Sequence, residues 1–113
     1  SYSIRYVLDL HQLAPSRPMA LCIGTGRGRN LNGDERAVPV LRNAFSIRRL
    51  IPVTLDDPFA ALREHTVCAT AAGLGVAALL LELNTGLLIE GEGSRFMDVM
   101  DALYDAIAAL NAD

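Results

Sequence analysis

Lysine is absent from this 113-residue chain, and so is tryptophan. Without lysine there is no Walker-type phosphate loop, no attachment point for pyridoxal phosphate and no Schiff-base amine. Every fixed positive side-chain charge is therefore an arginine. Cysteine is scarce: Cys22 and Cys68 are the only two, which excludes a disulfide scaffold and makes reduced thiols in a cytoplasmic setting the expectation. No uninterrupted apolar run reaches the ~18–20 residues that a membrane span needs, so no membrane partner is expected. The first residues alternate polar and apolar side chains, unlike a secretory signal. An apolar fraction of 51% excludes a disordered tail, and the length fits a single compact domain over residues 1–113.

What is present is uneven. Six of the ten arginines fall between Arg27 and Arg49, on a chain whose net charge is −3. That stretch opens with a glycine-rich loop, Gly24-Thr25-Gly26-Arg27-Gly28-Arg29-Asn30, directly after the apolar run Met19 to Ile23. Glycines let backbone N–H groups curl toward an anion, and arginine offers a planar fork of donors. A strand running into such a loop is suited to phosphate, although the loop misses the dinucleotide fingerprint because Arg29 stands where a third glycine is needed. The structural alternative is a strand-to-helix turn with solvated arginines.

Apolar periodicity predicts strands over Ile4–Leu10, Met19–Ile23 and Leu50–Leu55. It predicts helices over about Pro39–Arg49, from Asp57-Pro58 to near Gly73 or Gly75, and after Ser94. In the last helix, Phe96, Met100, Leu103, Ile107 and Leu110 recur at three- and four-residue steps, with Asp98, Asp101 and Asp105 opposite. Val76–Leu83 and Leu87–Ile89 read as a hairpin about Asn84-Thr85-Gly86. The order is roughly β-β-α-β-α-β-β-α, an α/β two-layer sandwich with helices packed on one mixed sheet.

Asp9 and His11 share a strand face at i, i+2, where an imidazole beside a carboxylate suits general-base work or phosphate orientation. The competing reading is a hydrogen-bonded structural histidine. His65 and Cys68 sit one helical turn apart, but with His11 and Cys22 they make four scattered ligands rather than a zinc motif. No metal and no other cofactor is called for. Glu82, Glu90 and Glu92 converge only if the hairpin loop has three residues, and solvated edge glutamates are the alternative.

Two of these segments, in this order, resemble the Smr (small MutS-related) domain. Leu8-Asp9-Leu10-His11 is similar to its Leu-Asp-x-His mark, and Thr25-Gly26-Arg27-Gly28 to its Thr/His-Gly-x-Gly mark. The Smr-like part spans about residues 7–83, leaving the hairpin and helix of residues 76–111 to extend past the pattern. The family places a whole helix between its marks, where this chain has only a proline-bounded loop. The resemblance implies nucleic-acid binding, with nicking or RNA cleavage as a candidate endonuclease activity. Asp9 and His11 would be the catalytic pair, while Thr25, Gly26, Arg27 and Gly28 hold backbone phosphate, extended by Arg29, Asn30 and Arg42.

Two classes of function follow. One is a nucleic-acid-binding domain, RNA or DNA, whose arginines track phosphate. The other is a non-catalytic α/β protein that forms a homo-oligomer and binds a small ligand or partner subunit, since Val76–Leu81 is more apolar than one small core requires. The choice depends on whether the arginines converge.

Overall fold

The computed structural model describes residues 4–63 and 66–112. Strand β1 (Tyr6–Leu13) leads to β2 (Leu21–Gly24), helix α1 (Ala37–Ser46), β3 (Val53–Leu55), helix α2 (Val67–Gly73), β4 (Ala77–Asn84) and helix α3 (Phe96–Asn111). Short 3-10 turns cover Arg29–Leu31 and Thr85–Leu87. The strands form one mixed sheet in the order β1-β4-β2-β3, in which β1 runs parallel to β4, β4 antiparallel to β2, and β2 parallel to β3. The molecule is the expected α/β two-layer sandwich. Among the described residues no helix is long and apolar enough to cross a membrane.

Period-two alternation decides what each sheet face meets. Leu79, Leu81 and Leu83 of β4 join Leu21 and Ile23 of β2 on one face, in a core with α1 and α3. Helix α1 contributes Ala37, Leu41, Ala44 and Phe45 to it. Each fully buried Leu or Phe contributes about 2 kcal/mol through lost apolar exposure. The buried stripe of α3 is Val99, Ala102, Leu103, Ala106 and Leu110, so it is rotated from the stripe its large residues suggest. Phe96 and Ile107 are exposed, because alanines let α3 approach α1 closely and the bulkier residues flank the contact. Asp98 and Asp105 on its polar side pair with Arg95 and Arg48.

Helix α1 ends earlier than Arg49, in a Schellman arrangement. Leu50 N–H donates to the Phe45 carbonyl at 3.0 Å and Arg49 N–H to the Ser46 carbonyl at 2.9 Å, with Arg49 at φ 57°.

Two predicted elements do not form. The hairpin about Asn84-Thr85-Gly86 is replaced by a 3-10 turn, and Leu87–Ile89 form no strand. Both edges of β4 are already taken by β1 and β2, so no returning strand can pair with it. Asn84 reinforces the turn: its side chain accepts from Gly86 N–H at 2.8 Å and donates to the carbonyls of Arg17 and Met19 at 3.1 and 2.9 Å. Glu90 and Glu92 consequently lie in an exposed turn, off the sheet on which Glu82 stands.

The helix expected to start at Asp57-Pro58 is also absent there. The Asp57–Pro58 bond is cis, and residues 56–63 form an irregular strap across the sheet face opposite α1 and α3. Carbonyls that a helix would turn inward instead face β2 and its loop. Ala60 accepts from Gly26 N–H and Ala61 from the Asn30 amide, while Cys22 Sγ lies 3.5 Å from the carbonyls of Asp57 and Phe59. Helix α2 begins only at Val67, where the Thr66 hydroxyl accepts from Ala69 N–H at 3.1 Å.

Candidate functional site

The strap, α2 and the sheet enclose a cleft of about 1000 Å³. Its floor follows from register. Asp9, Leu80 and Gly24 lie side by side across β1, β4 and β2, and His11, Glu82 and Cys22 form the next row. Alternation sends these side chains to the face away from the main core, so Asp9, His11, Leu80 and Glu82 line the cleft. Asp9 and His11 are joined directly, with His11 Nε2 2.9 Å from Asp9 Oδ2. A carboxylate can only accept, so Nε2 is the donor of this bond, and in the neutral imidazole that leaves Nδ1 unprotonated. Half of the His11 side-chain surface is open to solvent, against 23% for Asp9.

Cys68 of α2 closes the floor from above and is fully buried. Burial pushes its thiol up to about 11, and the neighbouring Asp9 charge adds to the rise. This is an inert thiol rather than a nucleophile. His65 lies outside the described residues. Among those described, no three His, Cys, Asp or Glu residues are grouped as metal ligands.

Arg27 from the glycine loop and Arg63 from the strap supply the positive charge of the cleft. Neither guanidinium has a hydrogen-bond or ion-pair partner among the described residues. Against them stand the carboxylates of Asp9, Glu82, Asp56 and Asp57. The cleft thus sets four carboxylates against two arginines.

The glycine loop is stitched shut rather than open. Thr25 N–H and its hydroxyl donate to the two Asp56 oxygens at 2.6 and 2.7 Å. Gly28 N–H donates to the Thr25 hydroxyl at 2.9 Å, Arg29 N–H to the Gly26 carbonyl at 3.2 Å, and Asn30 N–H to the Thr25 carbonyl at 2.9 Å. Most backbone donors that would cradle an anion therefore already have acceptors, and Asp56 is the anion they hold. Gly24 permits this closure, since a Cβ there would come within 3.1 Å of Ala61 Cβ and the Phe59 carbonyl oxygen.

The expected site residues divide accordingly. Asp9, His11 and Arg27 meet in the cleft. Thr25, Gly26 and Asn30 are buried beneath it as framework, while Gly28 and Arg29 are exposed on the outside of the loop. Arg42 is elsewhere, on α1, donating to the Val53 carbonyl at 3.2 Å. Arg36 and Arg48 likewise bind the Ala109 carbonyl and Asp105, so the arginine-rich segment does not present one track. Glu82, Asp56 and Arg63 complete the cleft without having stood out as its members. The alternation Leu81-Glu82-Leu83 marks Glu82 as facing away from the leucines, but its neighbour His11 emerges only from strand pairing. No family model, no curated protein and no solved structure matches this chain.

Proposed function

We propose that the cleft is the active site of a hydrolase acting on a small substrate that brings a neutral scissile bond to the acidic floor and an anionic group to Arg27 and Arg63. The observation that carries this reading is the Asp9–His11 hydrogen bond at 2.9 Å, placed beside Glu82 in one cleft. Asp9 holds the imidazole with Nδ1 available, and His11 takes the proton from an attacking water. That proton then passes to the leaving group, and Glu82 steadies the positive charge that His11 carries between the two transfers. Asp9 and Glu82 on the floor favour a neutral ester or amide there over a polyanion, whose charge they would repel.

The reading is tested on a panel of esters and amides with and without a free carboxylate. His11→Ala is expected to lower turnover about 10²–10⁴-fold, the usual range for a positioned acid–base group. Arg27→Ala with Arg63→Ala should raise KM only for the carboxylate-bearing members. No wild-type hydrolysis anywhere on the panel would discard the reading.

A second reading is favoured by Arg27 and Arg29, both exposed on either side of Gly28. In it the loop arginines hold nucleic-acid phosphate and the Asp9–His11 pair serves cleavage, as the Smr resemblance implies. It predicts binding to short RNA or DNA that weakens steeply with salt and disappears in Arg27→Ala/Arg29→Ala. Absence of binding to either at low salt removes it.

A further inference from the structure

Among the described residues five non-glycines adopt the left-handed conformation, and three of them, Arg27, Asp56 and Ala61, line the cleft. Such residues are held there against an intrinsic penalty of about 1 kcal/mol or more each, so the surrounding contacts must over-determine them. Around Arg27 these contacts start from Asp56 and from Ala60 of the strap. Asp56 takes both the N–H and the hydroxyl proton of Thr25, at 2.6 and 2.7 Å. With its proton committed, the Thr25 oxygen turns a lone pair to Gly28 N–H at 2.9 Å. On the other side of Arg27, Gly26 N–H is tied to the Ala60 carbonyl of the same strap. The chain is thus pinned immediately before and after Arg27, whose own side chain has no hydrogen-bond or ion-pair partner among the described residues.

We propose that Asp56 is a positioning residue: through Thr25 it fixes the backbone of the glycine loop so that Arg27 stands in the cleft ready for the anionic group of the substrate. The role in substrate selection rests on the hydrolase reading above, whereas the clasp itself is a property of the free protein. Asp56 and Arg27 come from segments on opposite sides of α1 and β3, so the strap sets the geometry of the substrate's anion contact. Glu82 and the Asp9–His11 pair stand on the sheet and are not reached by this chain of bonds.

The test uses Asp56→Gly, because glycine adopts the left-handed conformation freely while both acceptor oxygens are lost. In the free protein, amide exchange at Thr25 and Gly28 is expected to accelerate about tenfold or more, with Leu79 in β4 unchanged. Unchanged exchange at both amides would overturn the clasp. With a carboxylate-bearing substrate, Asp56→Gly should raise KM about tenfold at constant kcat and leave the neutral analogue unaffected. In an Arg27→Ala background it should add nothing, since both changes remove one interaction. An equal rise in KM in that background would overturn the assignment, because Asp56 would then act by a route other than Arg27. Asp56→Asn, which keeps one acceptor, should fall between wild type and Asp56→Gly. Altered exchange in Asp56→Gly with no KM change in Arg27→Ala for any substrate would instead overturn the anion contact, and with it the selection role given to Asp56.

Discussion

Arg49 occupies a position that helix ends normally give to glycine. Its φ of 57° closes the Schellman turn after α1, and its exposed side chain has no hydrogen bond or ion pair among the described residues to offset the conformation. Arg49→Gly is therefore expected to stabilise the fold by about 0.5–1 kcal/mol, read as a higher urea midpoint. The same backbone logic makes single residues hard to read from sequence. The glycine loop is visible as a turn, but Asp56 reaches it from a segment whose Asp57-Pro58 pair signals a helix start. Asp9 and His11 were legible as a facing pair because strand alternation is local. Glu82 was not legible as their neighbour, because that depends on which strand lies beside β1.

Elements with strong periodicity were legible: β1, β2, β4, α1 and α3 all occur where apolar spacing places them, with ends shifted by a few residues. The failures concern elements whose existence depends on vacancies elsewhere. Leu87–Ile89 has strand composition but finds both edges of β4 occupied. Residues 57–63 have helix signals, yet their carbonyls are drawn to the loop after β2. Helix α2 is left with seven residues, which leaves it dependent on its cap. Thr66→Ala removes the acceptor of Ala69 N–H and should cost about 1 kcal/mol. Since α2 shields Cys68, native-state thiol labelling should speed up in that variant while Cys22, buried under the strap, stays protected.

For the molecule as a whole, the pH response is set on the alkaline side by two groups. Tyr6 is raised above 10.0, first by its hydrogen bond to Asp34, then by burial and the Asp34 charge. Burial raises Cys68 from 9.0 to about 11, with Asp9 adding to it. Both hold their protons more tightly folded than unfolded, so the stability they contribute is complete below pH 9; the Cys68 share is lost as pH climbs from 9.0 through about 11, and the Tyr6 share as pH climbs above 10.0. Urea midpoints should fall across that window, and Cys68→Ala should flatten the fall. The sheet order has a further consequence, in time rather than in energy. Of the four strands β1 is made first, yet its neighbour β4 follows only after β2, α1, β3 and α2. Until then β1 has no strand beside it among the described residues, and the ring of His11 has no glutamate next to it. Closing that long loop is entropically slow, so the folding rate should answer to changes in β1 and β4 more than to changes in α1. The cleft comes into being only with β4, and a chain halted before that strand would carry the histidine without the site.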